Sequence, residues 1–178
     1  MDSAVSPASP ADASVDGRSV GWFLDGLDRC SKAAREAAER DLSERDIVPA
    51  HVDRWYPMAS YLAVVEAVVA ATGPEVLVAA GRCCGERLSG EAGSVPDELE
   101  ALDAAYRRHH RGAAGGYAFR QIGPNDGRIE CGTPYPCAFD RALVEGVART
   151  AADGYVSLAE VSTCRDDGAE RCTYELSW

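Results

Sequence analysis

The feature that most constrains this chain is a change of period near Gly112. Before it, apolar residues recur every three or four positions; after it, they alternate. Val20, Phe23, Leu24, Leu27 and Cys30 fall on one helical face. Helix continues through an Ala/Glu/Arg-rich stretch to about residue 40, with a further turn over 41–47. Asp53-Arg54-Trp55-Tyr56-Pro57 reads as the start of a helix to about residue 72, with Pro57 near its first turn, burying Met58, Leu62, Val65, Val68 and Val69. Gly73-Pro74 stops it. A helix over 75–88 buries Val76, Leu77, Ala80 and Cys84, and Gly81 lets a neighbouring element come close. Ser94-Val95-Pro96-Asp97 opens another, whose stripe is Leu99, Leu102, Tyr106 and one of His109 and His110.

Beyond Gly112, residues 116–122 and 128–132 read as strands around the turn Pro124-Asn125-Asp126-Gly127. A helix over 138–151 buries Phe139, Leu143 and Val147. Residues 155–164 and 172–178 form a second hairpin, in which Cys172, Tyr174, Leu176 and Trp178 alternate with Thr173, Glu175 and Ser177. The class is therefore α+β: an N-terminal helical half followed by a four-stranded antiparallel ββαββ half. Residues 1–18, rich in Ser, Ala, Pro and Asp, read as a disordered tail, and 19–178 as a single domain, which suits a chain of 178 residues.

Charge narrows the partners. A net charge of −11 repels phosphate backbones and anionic lipid, so neither nucleic acid nor a membrane is an expected partner. The start lacks the basic and apolar runs of a signal peptide, and no apolar run is long enough to span a bilayer, so the expected location is cytoplasmic. In that compartment the seven cysteines default to reduced thiols, some of them candidate metal ligands.

Cys164 and Cys172 flank Gly168 symmetrically. Opposed across a hairpin, two thiolates can share one zinc, and Cys137, at a helix N-terminus that favours thiolate, can supply a third ligand. Glu160 shares a strand face with Cys164 but stands about 13 Å away along a regular strand, so it joins them only if the strand is bulged or bent. Cys131 or water are alternatives for the fourth position. The competing reading is that these cysteines simply pack as small apolar residues. Cys83-Cys84, inside a helix, is assigned no metal.

The run Tyr135-Pro136-Cys137-Ala138-Phe139-Asp140, followed by Glu160, Cys164, Gly168 and Cys172, resembles the 4-vinyl reductase family of small ligand-sensing domains. The upstream residues Val20-Gly21-Trp22-Phe23, Trp55-Tyr56-Pro57 and Ala80-Gly81-Arg82 look like the helical half of related chains. These include uncharacterised myxobacterial proteins and, more distantly, haem–nitric-oxide-binding domains. The resemblance implies a hydrophobic effector beside a structural zinc held by Cys137, Cys164, Cys172 and Glu160. Glu160 is the least secure, since it precedes Cys164 by four residues where the family has three.

His109 and His110 lie where the haem-binding relatives carry their iron ligand. Those relatives also carry Tyr-x-Ser-x-Arg, and the region from Tyr135 here offers Cys137 and Phe139 instead. Arg107, Arg108 and Arg111 read as a solvated helix end favoured by the helix dipole. Zinc is thus expected ahead of haem, and haem is not expected. No phosphate loop, dinucleotide fingerprint, His-Glu-x-x-His or Gly-x-Ser-x-Gly is present, so an enzyme is not expected.

The leading reading is a sensor that takes a small hydrophobic molecule between the two halves and acts through a signalling partner. Its candidate lining is Trp22, Phe23, Trp55, Tyr56, Tyr106, Phe119 and Phe139. The alternatives are a homodimeric interaction module, paired through Val20, Phe23, Leu24 and Leu27, and a haem-based gas sensor using His109 or His110.

Overall fold

The computed structural model describes residues 5, 7–90 and 93–178. After a short turn comes strand β1 (Ala13–Asp16), then helices α1 (Gly17–Asp28) and α2 (Lys32–Glu44). Strand β2 (Trp55–Pro57) leads into α3 (Met58–Thr72), α4 (Glu75–Leu88) and α5 (Val95–His109). Strand β3 (His110–Gly112) follows α5 directly, and the hairpin β4 (Tyr117–Gly123) and β5 (Asp126–Cys131) precedes α6 (Cys137–Ala151). The chain closes with β6 (Ser157–Glu160) and β7 (Cys172–Ser177).

Local chemistry sets most boundaries. Asp16 caps α1 by accepting the Ser19 N–H at 2.9 Å, and Ser31 caps α2 through the Ala34 N–H at 3.1 Å. In α5, Pro96 follows the Ser94 cap, Asp97 and Glu98 fill the first turn, and Arg107, Arg108 and His109 fill the last, as the dipole favours. Gly73, at φ 95°, ends α3 in a conformation other residues avoid.

Strands β4-β5-β7-β6 form one antiparallel sheet, as the alternation predicts. The α+β class with its helical first half is therefore what the chain adopts. A second sheet, β2-β1-β3, was not expected. Its register sets Val15 opposite both Tyr56 and His110. This corrects two expectations. Within the tail read as disordered, residues 13–18 are strand and helix, and Val15 is fully buried; residues 1–4 and 6 lie outside the described residues. Trp55-Tyr56-Pro57 is a strand rather than the first turn of α3.

The helices meet the sheet half chiefly where α4 crosses α6. Gly85 and Gly81 on α4 press on the backbone of Leu143 and Phe139, and a Cβ at either would collide with it. The α1 stripe of Val20, Phe23, Leu24 and Leu27 is buried in the chain's own core. That corrects the proposed dimer contact, because the face is already covered. Among the described residues no helix is long and apolar enough to cross a membrane.

Candidate functional site

The hand-over from α5 to β3 turns consecutive residues in opposite directions. Arg108 and Arg111 stay exposed while His110, in extended conformation, points inward and is buried. Its backbone is pinned by pairing with Val15 and its ring stacks on Tyr106, with centroids 3.8 Å apart. The Nδ1–H donates to the Tyr106 carbonyl at 2.9 Å, which leaves Nε2 to accept from the Tyr135 hydroxyl at 2.8 Å. Burial holds the imidazole down at about 4, although the Tyr106 carbonyl favours its charged form. The ring is therefore neutral at physiological pH, with one tautomer fixed and the Nε2 lone pair directed at Tyr135.

That depressed pKa has a consequence for stability. The unfolded histidine takes its proton near 6.5, so between there and about 4 the unfolded state binds more protons and stability rises with pH. Acidifying through this window should remove about 3 kcal/mol. His110→Asn should flatten that part of the curve in urea unfolding; parallel curves would contradict the assignment.

His110 lines a small cavity at the seam of the two halves, with Ser19, Trp22, Tyr61, Cys84, Tyr106, Leu88, Tyr135, Phe139 and Leu143. Its free volume is about 10 Å³, room for about one water molecule. The rings of Tyr61, Tyr135 and Phe139 fill the rest: Tyr135 stacks on Phe139 at 4.6 Å and meets Tyr61 edge-on at 6.2 Å. Of the lining read from sequence, Trp22, Tyr106 and Phe139 reach the cavity, and Phe23 packs behind it against Tyr61 and Phe139. Three do not. Trp55 lies under Arg111 on the surface, Tyr56 bonds the Val48 backbone, and Phe119 packs on Trp178. Ser19, Tyr61, Cys84, Leu88, Tyr135 and Leu143 were not read as lining residues, and the choice left open between His109 and His110 for the inward place falls to His110.

A second cluster lies behind Tyr135. The Sγ atoms of Cys137 and Cys172 are 3.2 Å apart, and Cys164 lies 3.9 Å from each. All three are buried and could hold one metal ion. The hairpin brings them together through an irregularity. Strand β6 stops at Glu160, opposite Tyr174; next, Val161 N–H donates to the Thr173 carbonyl while Thr173 N–H donates to the Thr163 carbonyl, so residues 161–163 face Thr173 where a regular ladder has one residue. The bend places the Glu160 carboxylate within 4.8 Å of Cys164 Sγ, beside Asp167. Burial alone would raise the Cys172 thiol, but the backbone N–H and guanidinium of Arg165 outweigh it and lower its pKa. Burial and the bonds to Cys172 and Asp166 raise Cys137.

Arg165 also ties the cluster to the cavity. It pairs with the fully buried Asp140 at 2.5 Å and donates to the Thr133 carbonyl. Asp140 accepts from Tyr117 Oη at 2.7 Å and from the Thr133 hydroxyl, which in turn accepts the Tyr135 N–H. Even so, burial raises the Asp140 carboxyl.

No family model and no curated protein matches the chain. Solved structures do. One, determined in work on haem redox potential and protein-induced porphyrin distortion, aligns with TM-score 0.65 and 16% identity over 92% of this chain and 99% of its own. An H-NOX protein from S. oneidensis in the Fe(II)NO state aligns at 0.66 and 14%, covering 91% and 98%. An oxygen-binding H-NOX domain related to soluble guanylate cyclases aligns at 0.64 and 16%, covering 91% and 94%. These matches bear on the more distant of the two resemblances read from the sequence. They correct the expectation on cofactors: zinc was set ahead of haem and haem was set aside, whereas the fold is shared with haem-binding domains.

The residues around His110 fit haem in donor and constrain it in room. A neutral, buried imidazole is a haem-iron ligand by its chemistry. A cavity of about 10 Å³ admits a macrocycle only if Tyr61, Tyr135 and Phe139 turn aside. This chain has the H-NOX fold, with a histidine buried at the seam of its two halves.

Proposed function

We propose that the chain is a haem-based sensor domain for a small molecule, with the His110 cavity as its sensory site. The observation that carries this reading is His110 itself: buried, neutral, aimed by the Tyr106 carbonyl, and set in a fold shared with haem-binding domains. Bound haem would supply an iron with an open coordination position for a diatomic gas. The chain's own part is to orient the imidazole, exclude water with Tyr61, Phe139 and Leu143, and yield Nε2 from the Tyr135 hydroxyl. His109 is unsuited because its ring does not line this cavity: it faces a surface cleft beside Arg108 and Arg111, with Nδ1 on Asp16 at 2.8 Å. Titration with haem should give a saturable Soret band in the wild type and in His109→Ala, and none in His110→Ala. No band in the wild type, or an unchanged one in His110→Ala, would sink the proposal. In this reading the domain acts by binding and passes its signal to a partner.

The thiol cluster supports a second, structural role. Three sulfurs within 3.9 Å of one another suit one thiolate-preferring divalent cation, held by Cys137, Cys164 and Cys172 with Glu160 at the edge of reach. This spacing is what favours the 4-vinyl reductase kinship. Cobalt(II) is the probe. One equivalent should give intense sulfur-to-metal absorption that disappears in Cys172→Ser, and a featureless spectrum would contradict the site.

A further inference from the structure

The chain carries a net charge of −11, yet one surface cleft gathers cations. It has a volume of about 290 Å³ and lies where the start of α1, the end of α5 and strands β2 and β3 meet. Arg18, Arg108 and Arg111 line it. The small sheet builds the centre: β1 lies between the strands that carry Trp55 and Arg111, and the Arg111 guanidinium sits 3.7 Å over the Trp55 ring. Stacking of this kind holds the planar cation by its face and leaves its N–H edges free to donate.

The carboxylates in the cleft do not neutralise it. Asp16 is engaged on both oxygens, by the Ser19 N–H and by His109. Asp53 touches Arg18 at 3.8 Å, but its side chain is 95% exposed, and such a pair is weak in water. Neither Arg108 nor Arg111 forms an ion pair among the described residues. Arg29 and Arg87, exposed elsewhere, lie against acidic neighbours, whereas Arg120, among the described residues, is unpaired like Arg108 and Arg111 but stands outside the cleft. Guanidinium forks match the planar edges of phosphate and carboxylate, which accept two parallel N–H bonds.

We infer that this cleft binds a small oxyanion, a phosphate- or carboxylate-bearing molecule, on the guanidiniums of Arg111, Arg108 and Arg18. The inference is independent of the haem reading, since it uses only the outer surface.

Calorimetric titration of the full chain with pyrophosphate, and separately with citrate, tests it. At least one should saturate near one site per chain, and Arg111→Ala and Arg108→Ala should each weaken it by about tenfold or more. Arg120→Ala, an exposed arginine on β4, should bind as the wild type does. Saturation by pyrophosphate alone assigns phosphate, by citrate alone carboxylate, and by both the shared oxyanion chemistry. No saturable heat with either anion, or an equal loss in Arg120→Ala, overturns the site.

Discussion

Replacing Arg165 by methionine is expected to cost the fold about 3–5 kcal/mol, the usual penalty for removing one partner of a buried ion pair. Asp140 is fully buried, and Arg165 is the cation that compensates it; Tyr117 and Thr133 supply only neutral hydrogen bonds. Burial already raises the Asp140 carboxyl, and without the guanidinium it should rise further. A carboxyl whose folded pKa lies above its unfolded value favours the native state at low pH and loses that contribution as pH rises. The Arg165→Met deficit should therefore be smaller in mildly acidic buffer than at neutral pH. The double variant Arg165→Met/Asp140→Leu should recover much of the loss, because no uncompensated charge remains. Denaturant unfolding of the three proteins checks this, and a neutral-pH deficit below about 1 kcal/mol would place the pair among exposed ones.

Truncating Tyr135 should have an effect of similar size on stability and the opposite effect on ligand uptake. Its ring is buried against Phe139, Tyr61 and His110. Tyr135→Ala removes that packing at a cost of about 3–5 kcal/mol, and Tyr135→Phe removes only the hydroxyl at about 1 kcal/mol. Both free Nε2 of His110, but only the alanine opens the cavity. If the wild type must displace this ring to admit haem, its apparent affinity is reduced by the fraction of molecules in the open state. Each 1.4 kcal/mol of displacement no longer needed is worth about tenfold. Haem should thus bind Tyr135→Ala more tightly than the wild type, with Tyr135→Phe between them. Equal affinities would show that this ring does not gate the site.

These expectations rest on contacts that the sequence discloses unevenly. The long helices and the two hairpins are legible because each repeats its period over many residues. Strands β1, β2 and β3, of three or four residues, carry no such repeat. Val15 is one of only two valines in a Ser/Ala/Pro/Asp segment, so composition reads as disorder where tertiary packing buries a strand. His110 was obscured by its arginine neighbours. Nothing local says that α5 ends one residue earlier and that the next residue flips inward, paired with a strand almost a hundred positions away.

The cysteines were more legible, because hairpin symmetry about Gly168 brings Cys164 toward Cys172 whatever the loop does in detail. The distance from Glu160 was not. It depends on two extra residues in the ladder, which a regular-strand calculation cannot contain. Trp55 and Phe119 illustrate the reverse error. Both are large aromatics in plausible core positions, yet one supports a surface arginine and the other covers an outer edge of the sheet.

Replacing the His110 side chain by free imidazole tests whether this imidazole is the group that holds haem iron. His110→Gly removes the side chain but leaves the β3 backbone pairing with Val15 in place. The account predicts that the variant, mixed with haem, lacks the wild-type Soret band and regains it when imidazole is added at millimolar concentration. A band that survives the substitution, or one that imidazole does not restore in a folded variant, would contradict it.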